Sequence, residues 1–492
     1  MDLIPNADRR HPAYVEFLEQ VVAAQKDRVA VLLTQIEALQ AHVVAQDARI
    51  VAQDVRIEEL ERRLASTSRT SSKPPSSDGF SKPPSPPKKP GSRRNPGKQP
   101  GSKGSHLPMV ADPDEVIWHR PSHCSGCGDA LADAEVVGCE VRQVFDVPPV
   151  RVFVTEHRRA DVRCGCGTIS GAAFPTAVTV SAQYGANLRS LAVYLCTFQH
   201  LPYGRAAELL SDWFGIPVSP GTLVNIVAEG SALVEPALEV IRQQLVAAPV
   251  VHADETGSRV EAKLHWVHSA STPALTLYTA HAKRGRDAMN DAGVIPSFTG
   301  ILVHDGWAPY RSYGMDHALC NAHHLRELLG AAEYRGQRWA GAMIKVLLGL
   351  KDEVDTARSH RAQALNPERL RHWLDRYEAA LITGDRNNAV LPQRKPVNLL
   401  RRLRAHRYDV LRFATDFRVP FDNNLAERDI RMIKLQQKIS GSHRSFAGAD
   451  RFCRLRSYIS TARKQQHNVA TALRQLFEGD LWIPAPTPVA PT

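Results

Sequence analysis

The sequence predicts a multidomain α/β protein in which helices cover a mixed β-sheet and smaller units precede this core. Three observations support this fold class. The chain has 492 residues, which is too long for one compact core. From residue 249 onward, short apolar runs alternate with helical patterns. Before that point, the composition changes abruptly near residues 66, 107 and 181.

Composition narrows the class of protein further. Hydrophobic residues make up 43% of the chain, and the formal net charge of +11 favours a polyanionic partner. The N-terminus lacks the basic-then-apolar pattern of a signal peptide, and no run approaches the ~20 uninterrupted apolar residues of a membrane span. We therefore expect a cytoplasmic protein with no membrane partner, whose eight cysteines are thiols or metal ligands.

Residues 1–65 are predicted to form a coiled-coil dimerisation helix. A heptad repeat runs over residues 14–65 without Gly or Pro, with Val or Ile at most a positions and Leu at most d positions. This pattern favours a parallel two-stranded coil. Gln25, Gln46 and Gln53 occupy d positions and weaken the seam. The alternative is one amphipathic helix that docks on the body of the protein.

Residues 66–106 are predicted to be a disordered basic linker rich in Pro and Ser. The segment contains nine Lys or Arg residues against one Asp, and almost no apolar residues. Such a composition cannot bury enough surface to fold. The linker is a soluble spacer, a phosphate contact that ignores DNA sequence, or both.

Residues 107–180 predict a small β-rich zinc module. Alternating apolar residues on both sides of Pro148–Pro149 predict two strands. The module contains a C-x-x-C pair and a tighter C-x-C pair, each beside glycines, which together suit a tetrahedral zinc site. The four proposed ligands are Cys124, Cys127, Cys164 and Cys166. The alternative is a set of buried structural cysteines.

Residues 181–248 read as a helical region with a helix-turn-helix outline. Gly215 marks the turn, Ser219 is the expected N-cap, and Pro220 takes the first helical position. Thr222 and Asn225 then lie on the helix that would read DNA. Helix–Gly–helix segments are also common in ordinary bundles, so this alternative stays open.

Residues 249–450 predict the mixed sheet, with three strands in a meander, a short helix and two further strands. Asp254 and Asp305 are each expected at the end of a strand, where sites form in open α/β sheets. Two close carboxylates repel unless a cation lies between them, and Mg²⁺ or Mn²⁺ prefers oxygen ligands. The alternative is that each aspartate caps a turn.

A third acid is expected on a helix that starts at Asp422–Asn424 and runs to about Ile439. Glu427 shares one helical face with three basic residues, at offsets of 4, 3 and 4. An acid on a basic stripe fits metal binding beside phosphate contacts, and the alternative is a solvated face with ion pairs. The basic residues are Arg431, Lys434 and Lys438.

Several strings resemble those of the insertion sequence 66 family of bacterial transposases. They are DETG, HDGWAPY, CNAHHLREL and NNLAERDIRMIKLQQKISGS, and the resemblance covers most of the chain. It implies an RNase H-like catalytic core with a DDE triad at Asp254, Asp305 and Glu427. The spacing from Glu427 to Lys434 is similar to a basic signature of related enzymes. The C-x-x-H pair Cys320–His323 also recurs in such enzymes, although a packed cysteine and a buried histidine are the favoured explanation.

The resemblance implies DNA cleavage and strand transfer by phosphoryl transfer, with two Mg²⁺ or Mn²⁺ ions per site and a structural zinc ion. The implied partners are transposon ends, target DNA, a second copy of the chain, and companion proteins encoded by the same element. Residues 337–415 are then a helical insertion, and residues 451–492 are a C-terminal helix and tail. Two alternatives are a catalytically inactive dimeric DNA-binding regulator and a nuclease relative that acts on RNA.

Overall fold

The computed structural model describes residues 12–65, 107–147, 150–390 and 393–486. The predicted basic linker 66–106 lies outside the described residues, as do Pro148–Pro149 and the last six residues of the tail.

The predicted N-terminal helix is present as α1 (Pro12–Ala65), which is 54 residues long. Every side chain from residue 15 to residue 51 is exposed, including Leu39 at 64%. The apolar a and d positions therefore form an uncovered seam along this helix. By length and composition alone, the segment Pro12–Val51 could also cross a membrane, and one such helix near an N-terminus is weak evidence for a span.

The cysteine module contains one small antiparallel sheet of β1 (Asp161–Arg163) and β2 (Ile169–Gly171). The two strands predicted around Pro148–Pro149 are absent from the described residues on either side. Their apolar side chains have nothing to pack against, since Val144 and Phe153 are 91% and 90% exposed. Alternation stabilises a strand only when one face is buried. The module is therefore less rich in β-structure than the sequence predicts.

Residues 186–246 form four helices, with a π-helical turn at Tyr194–Phe198. They are α2 (Ala186–Val193), α3 (Tyr203–Phe214), α4 (Pro220–Leu233) and α5 (Glu235–Val246). Gly215 ends α3 in the left-handed conformation, and Ser219 Oγ accepts the Thr222 N–H at 3.1 Å. The predicted turn and N-cap are both confirmed.

The sheet contains five strands in the order β5-β4-β3-β6-β7. They are β3 (Val250–Val260), β4 (Lys263–Ser271), β5 (Thr276–His281), β6 (Ile301–His304) and β7 (Asp316–Leu319). The first three form an antiparallel meander, and β6 and β7 join it in parallel. The predicted mixed sheet is confirmed. The run HALCNAHH predicts a fifth strand over residues 317–324, but β7 ends at Leu319 because the following helix begins at Asn321.

Helices pack against this sheet to form a continuous core. They are α6 (Arg286–Ala292), α12 (Asn424–Ser440) and α13 (Phe446–Lys464), while α14 (Val469–Glu478) packs on α2 and α13. One buried cluster joins Leu223 of α4, Ile241 of α5, Leu302 of β6, Tyr458 of α13 and Leu473 of α14. The helical region and the sheet therefore share a core, and the domain boundary predicted at residue 450 falls within α13.

The described residues of the predicted insertion are mainly helical. Its helices, with the one that leads into it, are α7 (Asn321–Ala332), α8 (Arg338–Ser359), α9 (Pro367–Val390), α10 (Arg394–Ala405) and α11 (Arg407–Thr415). Residues 322–356 and 365–406 group with the N-terminal helix as one compact unit. The second unit contains the cysteine module, the helical region, the sheet and the C-terminal helices.

Candidate active site

Asp254 lies within β3, not at its end. The strand continues to Val260 because β4 stays paired with it, whereas the parallel ladder with β6 stops at His252 opposite Val303. The prediction that Asp254 ends a strand is therefore wrong, although a ladder does end beside it. Continuing the parallel register by two residues places Asp254 opposite Asp305.

Asp305 follows β6 directly, as predicted, and the chain turns immediately after it. Gly306 has a φ of 93°, in the left-handed region that favours glycine. One oxygen of Asp305, Oδ1, accepts the Trp307 N–H at 2.8 Å. This carboxylate therefore caps the turn and remains half-buried at the edge of the parallel ladder.

Glu427 lies in the first turn of α12, which begins and ends within one residue of the prediction. The residue that holds this helix end is Asn423, which is buried. Its side-chain Nδ2 donates to the Ala253 carbonyl at 2.9 Å, and its Oδ1 accepts from His252 Nδ1 at 2.8 Å. Because Ala253 adjoins Asp254, the clamp fixes the start of α12 beside the first acid.

The three predicted acids are close enough to influence one another electrostatically. Burial raises the pKa of Asp254 well above its usual range, and the charges of Glu255, Asp305 and Glu427 raise it further. Asp254, Asp305 and Glu427 are all half-buried, so each remains open to solvent on one side. Among the described residues, the ligand atoms of the three acids do not all lie within 4.8 Å of one another. Carboxylates that raise one another's pKa still suit a hard divalent cation such as Mg²⁺ or Mn²⁺, which would relieve their repulsion.

Sequence reasoning missed the most deeply buried acid of the site, Glu255, whose side chain is 1% exposed. Arg284 donates to Glu255 Oε1 from Nε at 2.9 Å and from Nη2 at 2.5 Å. The Tyr310 hydroxyl donates to Oε2 at 2.6 Å. The Arg284 guanidinium lies 4.0 Å from the ring centre of Trp307 and 4.8 Å from that of Trp266.

This network ties β3, which carries Asp254, to the turn that follows Asp305. Burial raises the pKa of Glu255, and Asp305 raises it further, whereas Tyr310 and Arg284 act in the opposite direction. A signal for Glu255 exists in the sequence. Adjacent residues of a strand face opposite sides, so two consecutive acids cannot both point to one open site. One of them must therefore find a buried partner.

The predicted basic stripe on α12 divides into two kinds of residue. Arg431 and Lys438 are exposed, and Arg431 Nη2 lies 3.8 Å from a Glu427 oxygen. Lys434 is half-buried, and its ammonium donates to the Gly257 carbonyl of β3. Burial also lowers the pKa of Lys434. In this structure Lys434 therefore fastens α12 to the sheet.

Cys320 and His323 lie on either side of the start of α7. Cys320 follows β7, is buried, and accepts the Asn423 N–H through Sγ at 3.2 Å. Its sulfur and a Glu427 carboxylate oxygen lie within 4.8 Å of each other. His323 lies in the first turn of α7. The packed position of Cys320 agrees with the structural alternative considered for it.

The four predicted zinc ligands lie in two matching turns. Gly128 donates to the Cys124 carbonyl and Gly167 to the Cys164 carbonyl, both at 2.9 Å. A hydrogen bond with the Thr168 side chain is the main cause that lowers the pKa of Cys166 to about 7. Thiols that ionise readily fit zinc, so each turn suits half of a site. Among the described residues, the two halves do not meet as one group of four ligands.

Comparison with known proteins identifies the family to which the central part of the chain belongs. Residues 181–451, more than half of the chain, match the family model described as Transposase IS66 family. The chain belongs to the IS66 family of transposases. This IS66 transposase is thus an enzyme that acts on DNA, and the predicted family resemblance is confirmed. Residues 121–167 match the zinc-finger binding domain of IS66 transposases, and this range contains all four predicted zinc ligands.

Two further matches are less informative about function. Residues 23–108 match a family of unknown function, DUF6444. A protein of Sinorhizobium fredii, named y4hP and described as uncharacterized, is 23% identical over 399 residues. That alignment covers 71% of this chain and 69% of the relative. The similarity therefore extends beyond the sheet to most of the transposase.

Proposed function

We propose that this transposase cuts and joins DNA by phosphoryl transfer at Asp254, Asp305 and Glu427, as an enzyme of the bacterial cytoplasm. The observation that supports the proposal is the electrostatic coupling of acids placed on β3, directly after β6 and at the start of α12. Burial raises the pKa of Asp254, and the charges of Asp305 and Glu427 raise it further. Such mutual repulsion is expected of a site that receives divalent cations.

The sheet supports an RNase H-like assignment for the catalytic core. Three antiparallel strands in a meander are followed by two parallel strands, and the first strand of the meander is central. The first acid lies on that central strand, and the second follows its parallel neighbour. This placement is the one that the family resemblance implies for a DDE triad.

The acids would position both the metal ions and the reacting phosphate. Asp254 would hold both Mg²⁺ or Mn²⁺ ions, and Asp305 and Glu427 would hold one each. When bound, two such ions activate the attacking oxygen and stabilise the leaving 3′ oxygen. Water would attack the phosphate first and release a 3′ hydroxyl. That hydroxyl would then attack the target strand in line.

Basic residues near the site would hold the DNA backbone. Arg431 and Lys438 are exposed on the same helix as Glu427, so they are the phosphate contacts that we propose. Lys434, also predicted as a contact, would have to give up the Gly257 carbonyl to reach a phosphate. We therefore propose that Lys434 holds α12 against β3 rather than contacting DNA.

The other parts of the chain would bring DNA and a second protomer to the site. The zinc module and helices α3 and α4 would read the transposon ends, with Asn225 exposed on α4 for this purpose. The uncovered apolar seam of α1 would pair with the same seam of a second copy, and companion proteins of the element would complete the assembly. Leu39→Arg should abolish the dimer in analytical ultracentrifugation, whereas Arg49→Leu, outside the a and d positions, should not.

The test of catalysis is metal-dependent nicking of an oligonucleotide that carries a transposon end. Asp305→Asn should reduce the rate by about 10³-fold or more, the usual cost of removing a key electrostatic group. The control is Asp291→Asn, because the Asp291 side chain is 70% exposed. Nicking that survives in Asp305→Asn would refute the assignment. A wild-type chain that binds the end without nicking it would favour the inactive regulator.

A further inference from the structure

Helix α10 of the insertion has two faces of opposite character. Its inner face consists of Pro396, Leu399, Leu400 and Leu403, all buried. The Tyr377 hydroxyl of α9 donates to the Leu403 carbonyl at 2.9 Å, which fixes the helix on its neighbour. The inner face therefore determines which residues α10 presents outward.

The outer face is basic and contains no acid. Five of the twelve residues of α10 are Lys or Arg, and no Asp or Glu occurs between residues 393 and 408. Arg402 pairs with Glu327, and Arg404 pairs with Asp385 at 2.6 Å. The remaining three are exposed, and no ion pair is recorded for them in the described part of the chain. They are Arg394, Lys395 and Arg401.

The neighbouring helix shows what an ordinary solvated face looks like in the same unit. Helix α9 contains four acidic and four arginine residues, interspersed along its length. Mixed charges of this kind stabilise an exposed helix through local pairs, whereas like charges one turn apart destabilise it. The unmixed charge of α10 therefore costs stability unless an anionic partner neutralises it.

The spacing of the outer residues fits a regular polyanion. Arg394 and Arg401 are seven residues apart, so they lie on one stripe of the helix and are separated by a rise of roughly 10 Å. Lys395 is exposed about a quarter of a turn around the helix from Arg394. DNA presents one phosphate per ~3.4 Å of axis along each strand, so long side chains at this spacing can each reach a different phosphate.

We propose that the outer face of α10, defined by Arg394, Lys395 and Arg401, binds the phosphate backbone of double-stranded DNA. The proposal deepens the function above, since it rests on DNA as the substrate of the enzyme. It assigns the insertion a role in holding DNA irrespective of base sequence. Contacts of this kind release counterions and are therefore sensitive to salt.

The experiment compares two triple variants of the full-length protein. Arg394→Gln/Lys395→Gln/Arg401→Gln removes the proposed surface. Arg371→Gln/Arg376→Gln/Arg386→Gln removes the same charge from exposed positions of α9. Binding of a duplex is measured by fluorescence anisotropy over a series of salt concentrations, in EDTA so that no cleavage occurs.

The α10 variant should bind about tenfold more weakly for every duplex sequence, and its slope of log K against log salt should fall by about two to three. The α9 variant should retain the wild-type slope. Equal losses in both variants, or an unchanged α10 variant, would overturn the proposal. So would a loss confined to double-stranded RNA. If the wild-type chain binds no DNA at all, the proposed function itself fails.

Discussion

The acidic site on the sheet and the cysteine module are both predicted metal sites, yet they are built in opposite ways. The acids are supported by buried residues, such as Asn423 and Leu302, that are 1% exposed or less. The cysteine module buries almost none of its apolar side chains, and its Val137 is 96% exposed. In the first region, packing forces charges together before any ion binds. In the second, only an ion can supply the missing core.

In one region the folded chain creates the metal site, whereas in the other metal binding is needed for the chain to fold. Loss of metal should leave the acidic site folded but repulsive, because its geometry comes from hydrogen bonds and apolar contacts. The same loss should unfold the cysteine module. Four substitutions test whether metal or packing forms each region. They are ordered from the largest expected change in stability to the smallest.

The largest effect is expected for Cys164→Ser in the cysteine module. Removing one ligand should abolish zinc binding, which is worth on the order of 10 kcal/mol in zinc-finger peptides. Residues 107–180 should then become sensitive to protease, while the main unfolding transition stays in place. Zinc content and limited proteolysis measure these outcomes. Cys139→Ser is the control, because Cys139 is exposed in the same module. A variant that retains a full equivalent of zinc would show that Cys164 is not needed to bind the ion, and the cysteine module would then not differ from the acidic site as we propose.

Asn423→Ala tests whether packing forms the acidic site. The substitution removes the partners of the Ala253 carbonyl and of His252, at about 1–3 kcal/mol for each buried group left unpaired. Urea unfolding should show a loss of about 2–4 kcal/mol, and nicking should fall with it. Asn424→Ala is the matched control, since Asn424 is the exposed neighbour. Equal stability of the two variants would show that the clamp is dispensable.

Glu255→Gln tests the network that sequence reasoning missed. It removes the buried charge that Arg284 and Tyr310 bind, and the Arg284 side chain is 37% exposed, so solvent weakens the effect. The fold raises the pKa of Glu255, so loss of the charge alone would be stabilising, but the amide nitrogen of Gln cannot accept from Arg284 or Tyr310 and leaves a buried donor unpaired. The unpaired donor dominates, so we expect a loss of about 1–3 kcal/mol in urea unfolding and slower nicking. Glu333→Gln, at an exposed position, should change neither. A fully active Glu255→Gln variant would confine the network to stability alone.

Asp254→Asn should give the smallest effect, and with the opposite sign. The folded state raises the pKa of Asp254 above its usual value, so folding favours the protonated form. That contribution is present below the unfolded pKa and is lost as pH rises through the folded pKa. In EDTA at pH 8, the variant should therefore be more stable than wild type by about 0.5–2 kcal/mol, and the gap should narrow at pH 4.

Thermal unfolding in EDTA measures this gap, and added Mn²⁺ should raise the Tm of wild type more than that of Asp254→Asn. Asp291→Asn is again the control. A variant that is less stable than wild type at pH 8 would mean that Asp254 is stabilising without metal, and the distinction between the two regions would disappear.

Local rules predict the elements that depend on neighbouring residues. The cap at Ser219, the turn at Gly215 and the limits of α12 follow from residues within a few positions of each other. The five strands were also foreseeable from their apolar runs. These features need no knowledge of what lies across the fold.

The features that escaped prediction depend on distant partners. Asn423 does not cap its own helix by a side-chain hydrogen bond, because that side chain binds β3 about 170 residues earlier. Glu255 needs Arg284 and Tyr310, which reach it from other elements. The alternation around Phe153 predicts a strand, but no surface covers it. Tertiary contacts decide each of these cases.

The entry and exit of the insertion lie side by side in the core. Asn321 donates its backbone N–H to the Phe421 carbonyl at 3.1 Å, and its side-chain amide to the Val410 carbonyl at 2.9 Å. The polypeptide therefore leaves the core and returns to it at neighbouring positions. A change in the length of the segment between Asn321 and Val410 should therefore leave Glu427 in place, because both ends of that segment are fixed to each other in the core.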